Sequence, residues 1–307
     1  MSGTSTSGVR KVTGAVRRLS PQGLRRLSKA VLLAWGMLTA RWRPGPDFLV
    51  VGAQRAGTTT LYRLLSSHPG VVRPTAWKGI GYFDLRYARG RRWYLAHFPL
   101  RWRLKGPDGR PRLAFESSGY YLFHPLAAER IGRDLPGVRV VVAVRDPVKR
   151  AYSAWKHEHA RGFEDEELER ALELEDERLA GEAERFAADP LHRSFSHRHH
   201  GYLARSRYSE QIQRYVDALG PDRVHVFDAD RFFAEPDDEF AALQEWLGLP
   251  VRPAGEVEQL NARPGRPLDP ALEARLRAHF EPYDEELARI MGRRPSWASD
   301  SRASTET

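Results

Sequence analysis

The 307-residue chain contains no cysteine. Disulfides and cysteine-bound metals are thereby excluded, while the redox compartment stays undecided. No apolar run reaches the ~20 residues that cross a bilayer; the stretch Ala30–Ala40 is far too short. Acids are missing from one end only. Residues 1–46 carry nine cations (Arg10, Lys11, Arg17, Arg18, Arg25, Arg26, Lys29, Arg41 and Arg43) and no Asp or Glu, which accounts for the whole formal charge of +9. The rest of the chain is charge-balanced and its aromatics are not interleaved with a basic stripe, so the high pI is not the footprint of a nucleic-acid binder.

Within that basic segment Leu24, Leu27, Val31, Trp35 and Leu38 recur at three- and four-residue spacing, with Arg25, Arg26 and Lys29 between them. The pattern predicts an amphipathic helix, lying either on an anionic membrane through residues 17–43 or against the domain's own surface. A secretory leader is the rival reading, since basic residues precede a short apolar stretch. Leu38-Thr39-Ala40-Arg41-Trp42 is a poor cleavage site, however, and a strand follows almost at once.

Beyond Pro44-Gly45-Pro46, apolar runs at 47–52, 112–116, 138–145 and 224–227 read as strands. Helical stretches are expected over 59–67, 125–134, 147–155, 238–247 and 270–291, and their alternation with strands predicts an α/β fold. Glu164–Ala188 reads as one highly charged, solvated or lid-like helix with a thin stripe of Leu168, Leu172 and Leu179. The organisation expected is a basic amphipathic segment (1–46), one domain (47–297) with a charged helix and His/Arg-rich loop inserted at 164–200, and a disordered tail (298–307).

Gly52-x-x-x-x-Gly57-Thr58-Thr59 sits between an apolar strand and a helix, where backbone N–H groups cradle an anion. The phosphate loop of nucleotide triphosphatases needs lysine before the hydroxyl residue; here Thr58 occupies that place and the cation is Arg55, at the loop crest. The strand 140–144 ends in Arg145 where a triphosphatase would present a metal carboxylate, and Asp146 is pinned into the turn before Pro147. Arg145 can grip a phosphate bidentately, with Ser153 adding a hydroxyl from the next helix. Two separated phosphate sites and no metal carboxylate point to a nucleotide phosphorylated at both ends of its ribose. The loop by itself leaves open a phosphate-binding module without catalysis or a P-loop kinase; Thr58 and Arg145 disfavour the kinase.

These segments resemble the sulfotransferases that use 3′-phosphoadenylyl sulfate (PAPS), in their carbohydrate, heparan sulfate-type branch. Gly-Ala-Gln-Arg-Ala-Gly-Thr-Thr-Thr-Leu at 52–61 is similar to the family's 5′-phosphosulfate loop, and Arg145 through Ser153 to its 3′-phosphate segment. Trp77–Asp84, Phe115–Tyr121 and Arg207–Ile212 agree with that branch, and Arg263-Pro264-Gly265-Arg266 with a late basic loop. The resemblance implies a P-loop-type three-layer sandwich with a mostly parallel central sheet flanked by helices. It implies that Arg55, Ala56, Gly57, Thr58, Thr59 and Thr60 hold the 5′-phosphosulfate, Arg145 and Ser153 the 3′-phosphate, and Arg266 the closing loop. Metal-independent transfer to a carbohydrate or glycolipid hydroxyl follows from it. The Arg/Ala-rich composition and the missing cysteines and Golgi-type anchor point to a bacterial cytoplasmic enzyme, peripheral at the inner face of the membrane.

Sulfuryl transfer needs cations around the developing charge and a base for the acceptor proton. Arg55 and Lys78 supply the first. The family commonly reads Lys-Glu-x-His-Phe-Phe-Asp where this chain has Lys78-Gly79-Ile80-Gly81-Tyr82-Phe83-Asp84, so the usual glutamate base is a glycine. Glu116, ending the second strand, is the expected base in its place; His124 and His157 are weaker choices. His192, His197, His199 and His200 read as a loop bordering the acceptor cleft rather than a metal site, because no carboxylate has ligand spacing. Tyr82, Trp93, Tyr94, Trp102, Tyr120 and Tyr121 are expected either to wall that cleft or to fill the core.

Overall fold

The computed structural model describes residues 21–75, 77–255, 257 and 266–298, with side chains from residue 28 onward. The expectations for residues 1–20, for the side chains of Leu24 and Leu27, for Arg263-Pro264-Gly265 and for 299–307 fall outside them.

The first element among the described residues is α1 (Pro21–Leu38), followed by β1 (Phe48–Gly52), α2 (Thr58–Ser67), β2 (Val71–Val72), α3 (Gly90–Leu95), β3 (Leu113–Ser117), α4 (Ala127–Asp134), β4 (Arg139–Val144) and α5 (Pro147–His159). Four short helices come next: α6 (Leu168–Glu173), α7 (Glu175–Leu179), α8 (Glu182–Ala188) and α9 (Phe195–His199). Then follow α10 (Tyr208–Leu219), β5 (Val224–Asp228), α11 (Ala229–Ala234), α12 (Pro236–Trp246) and α13 (Pro270–Met291).

All strand pairings are parallel, in the order β2-β3-β1-β4-β5. Every residue of β1 is buried, as are the five that end β4, so helices cover both faces and the strands read as continuous apolar runs rather than alternating ones. Phe48 of β1 pairs with Phe115 of β3 and the two rings stack 5.0 Å apart. Ligands of open α/β sheets bind beyond the strands' carboxyl ends. That edge here receives residues 53–57 after β1, Ser118 after β3 and Arg145 after β4.

Residues 164–188 do not form the single solvated helix expected. They fold into a turn and three short helices, and the acids at 164, 175 and 182 are buried. Glu175 accepts from three successive backbone N–H groups, Tyr202, Leu203 and Ala204, at 2.8, 2.7 and 2.7 Å. Glu164 pairs with Arg178 at 2.7 Å and takes the Tyr202 hydroxyl at 2.8 Å. A charge run looks solvated by composition, but buried carboxylates with this many donors are anchors.

In α1 one face packs on the domain and another stays exposed. Gly36 packs so closely on α3 that a Cβ would lie 2.2 Å from the Ala96 carbonyl oxygen, and Thr39 and Ala40 are buried. Val31, Leu32, Trp35 and Leu38 stay 43–68% exposed. No helix among the described residues is long and apolar enough to cross a membrane.

Candidate active site

Beyond β1 the Ala53 N–H still donates to Ala143 of β4 at 2.7 Å, and the chain then turns back sharply. Arg55 and Gly57 adopt φ of 75° and 74°. At Gly57 a side chain would be both strained and crowded, its Cβ 3.2 Å from the Phe233 ring. Gly57 caps α2, whose first turn contains Thr58, Thr59 and Thr60 with no acid and no side-chain cap. Such a helix start presents unpaired N–H groups and the positive end of the helix dipole to an anion. Ala56 is fully buried, so it contributes backbone only.

Arg55, Lys78, Arg145 and Lys156 are four of the cations that meet at this loop. Arg55, a non-glycine residue in the left-handed region, is tied to α5 and to the end of β4: its Nε donates to Ser153 Oγ at 3.1 Å, and its carbonyl accepts from Arg145 Nη1 at 3.2 Å. Lys78 donates to Thr59 Oγ1 at 3.1 Å, and burial pushes its ammonium down to about 8. Arg145 lies 3.9 Å from Asp230, while its Nε–H is enclosed without a partner among the described residues. An enclosed, orphaned donor beside a loop of this kind fits a phosphate oxygen. The fourth, Lys156, was not singled out from the sequence. Burial lowers its pKa, and Arg55 and Arg145 beside it lower it further. Its signal was helical phase, one turn on from Ser153 along α5.

Asp146 Oδ1 accepts from the Val148 and Lys149 N–H groups at 2.9 and 3.2 Å and so caps α5. Arg266 approaches α5 through its backbone, its carbonyl accepting from the Tyr152 hydroxyl at 2.9 Å. A longer-range support was also missed. Arg205 donates to the Gln54 side chain at the loop crest, and Arg150, fully buried, donates to Ser206 Oγ at 2.6 Å and to the Gln54 carbonyl at 3.5 Å. Nothing in local spacing could join residues so far apart in the chain.

Glu116 lies below this cluster, at 0% exposure. One oxygen accepts from the Tyr121 and Tyr94 hydroxyls at 2.8 and 3.1 Å, the other from the Ile80 N–H at 2.7 Å and the Ser118 hydroxyl at 3.2 Å. Burial raises its pKa to about 7 against the pull of these donors. Direct contact with an acceptor oxygen, as expected of a base there, is closed to it. The aromatics divide accordingly: Tyr82, Tyr94 and Tyr121 are core residues around Glu116, Tyr120 and Trp93 are half-buried, and Trp102 is 70% exposed. His124 is buried and burial drives it down to about 3. The four histidines do not share a loop, since His197 and His199 lie in α9, and they take separate partners: His192 meets Glu182 and His199 meets Glu158, both at 2.9 Å, His200 the Phe163 carbonyl at 2.9 Å, and His197 the Tyr120 hydroxyl at 2.8 Å.

Comparison with known proteins converges on the same segments. The sulfotransferase domain model matches residues 45–263. Heparan sulfate glucosamine 3-O-sulfotransferase 5 of Mus musculus is 24% identical over 277 residues, covering 82% of this chain and 74% of the relative. The membrane-associated sulfotransferase kil1 of Dictyostelium discoideum is 23% identical, covering 82% of this chain and 66% of its own. Among solved structures, the sulfotransferase from Alicyclobacillus acidocaldarius superposes with a TM-score of 0.59 at 26% identity, covering 81% of this chain and 96% of that one. The matched region holds the loop, Lys78, Glu116, Arg145, Ser153 and Lys156 together, so the chain belongs to the sulfotransferase family, whose sulfuryl donor is PAPS.

Proposed function

We propose that this chain transfers the sulfuryl group of PAPS in line, without a metal, to a hydroxyl of a carbohydrate or glycolipid. The observation that carries the reading is the pairing of a lysine-free anion loop with Arg145, whose enclosed Nε–H lacks a partner among the described residues. In this reading the N–H groups of residues 56–58 and the hydroxyls of Thr58, Thr59 and Thr60 hold the 5′-phosphosulfate. Arg55 and Lys78 face the charge that develops on the bridging and equatorial oxygens. Arg145, Ser153 and Lys156 take the 3′-phosphate, and Arg266 belongs to the loop that closes over the nucleotide. The heparan sulfate name of the relative supports a glycan acceptor.

The exposed stripe of α1, with Arg41 stacked 4.0 Å over the half-exposed Trp42, supports peripheral contact with an anionic membrane. A cytoplasmic enzyme at the inner face of the membrane would meet a glycolipid acceptor there. The test is to incubate the protein with labelled PAPS and a panel of glycans, glycolipids and phenols, with and without EDTA. Transfer to a glycan or glycolipid that survives EDTA is the expected result; no PAPS binding at all would sink the reading.

A further inference from the structure

The reaction proposed above needs somewhere for the acceptor proton to go, and Glu116, the expected base, is fully buried. The residue that follows it, Gly79, is exposed, and its backbone lies directly on Ser117 and Ser118. A Cβ on Gly79 would sit 2.6 Å from the Ser117 carbonyl oxygen and 2.9 Å from Ser118 Oγ. A carboxylate side chain therefore cannot start from position 79 without moving the β3 end. What lies under the bare glycine is the Ser118 hydroxyl, on a residue that keeps 7% of its surface.

Ser118 is wired inward. Its Oγ accepts from the Gly81 N–H at 3.2 Å and donates to Glu116 at 3.2 Å. From the other side Glu116 meets the hydroxyls of Tyr94 and Tyr121, with Tyr82 stacked 4.7 Å from Tyr94 and Asp84 close enough to disfavour its ionisation. Among the described residues no cation is paired with it. Its three hydroxyl neighbours and the Ile80 N–H satisfy the ionised form, while burial favours the neutral one. The two states are balanced, as a proton acceptor requires.

We infer that the acceptor proton leaves through Ser118 to Glu116. The acceptor O–H bond breaks as its oxygen bonds to sulfur; Ser118 Oγ takes that proton and passes its own to Glu116 Oε2. The bridging S–O bond breaks, and its electron pair departs with the 5′-phosphate of the nucleotide. Ser118 is the catalytic residue, and Glu116 a positioning residue that stores the proton. This rests on the proposed transfer reaction.

The test uses the full chain with labelled PAPS and a desulfated heparin oligosaccharide, with sulfate release to water as a second readout. Ser118→Ala is expected to lower kcat by roughly 10²- to 10⁴-fold, the span of general acid–base contributions, with the Kd of the desulfated nucleotide within twofold; Ser118→Thr restores most of it. Wild-type kcat should fall about tenfold per pH unit below pH 7 and level above it, and Glu116→Gln should be slow and lack that acid limb. Ser118→Ala within threefold of wild type, or an acid limb that persists in folded Glu116→Gln, overturns the relay. A wild type that binds the nucleotide but transfers to neither acceptor refutes the reaction itself, and the relay with it.

Discussion

Replacing Arg145 by alanine should damage one end of the nucleotide site and spare the other. Arg145 Nη1 is held by the Arg55 carbonyl at 3.2 Å and Nη2 lies 3.9 Å from Asp230, so the guanidinium is positioned before any ligand arrives and little side-chain entropy remains to be lost on binding. Its Nε–H has no partner to give up. A hydrogen bond from such a charged group contributes about 1.5–3 kcal/mol, which corresponds to roughly 10- to 150-fold in Kd. Arg145→Ala should therefore weaken adenosine 3′,5′-bisphosphate by that factor and leave adenosine 5′-monophosphate within about twofold. Isothermal titration with both nucleotides at fixed salt measures the difference. Lys156→Ala should weaken the same ligand, and less than additively with Arg145→Ala, because the two cations share one neighbourhood. Equal losses for the two nucleotides would mean that Arg145 merely props up the loop, and an unchanged bisphosphate affinity would remove it from the site.

Asp284, hydrogen-bonded to the Trp297 indole at 2.9 Å, is raised by burial from 3.8 to about 7. The unfolded chain thus loses this proton first as pH rises, and stability declines between about pH 4 and 7. Asp284→Asn should be the more stable protein at pH 8, by on the order of 2–4 kcal/mol at ~1.4 kcal/mol per unit, with the gap closing near pH 4; urea titrations at both pH values decide it. Trp35→Ser with Leu38→Ser removes side chains that are 55% and 68% exposed, so melting should hardly change while partition onto anionic vesicles drops by about tenfold or more; unaltered sedimentation with the vesicles would refute membrane contact. Gly79→Ala should destabilise the fold by about 1–3 kcal/mol through its clash with the Ser117 carbonyl, and a melting temperature equal to wild type would show that the β3 end yields easily.

The parts of this protein written in contiguous residues were legible. The apolar runs around 48–52, 139–144 and 224–228 could only be buried strands, and the loop at 52–59 announced itself by lying between one of them and a helix. Arg145 was readable because it ends a strand where another chemistry would need an acid. Two-residue β2 has too little sequence to carry any period, and α10 was not read, although Tyr208, Ile212, Tyr215 and Leu219 repeat at helical spacing and are all buried. The inward-facing acids at 164, 175 and 182 were misread because composition counts charge and cannot see donors arriving from residues 178 and 202–204. Glu116 shows the same limit. Its place at a strand's carboxyl end was plain from the sequence, but its enclosure by Tyr94 and Tyr121 depends on how residues 80–98 fold over β3.

The contacts at the loop crest join the two halves of the donor site physically. Arg145, assigned to the 3′-phosphate, donates to the carbonyl of Arg55, assigned to the sulfuryl oxygens; Arg55 in turn donates to Ser153, which sits with Lys156 on α5. Arg55 holds a left-handed backbone that a residue with a side chain resists, and its hydrogen bonds with Ser153 and Arg145 tie it to residues proposed for the 3′-phosphate. A nucleotide lacking that phosphate would leave Arg145 and Ser153 without their ligand, and so leave the crest arginine less firmly aimed. In the proposed site, recognition at the remote phosphate would act on the reacting centre through these hydrogen bonds, so that binding energy won there would orient the cation proposed to steady the transition state. That is a physical reason for a donor phosphorylated at both ends to serve here better than one carrying the sulfuryl group alone.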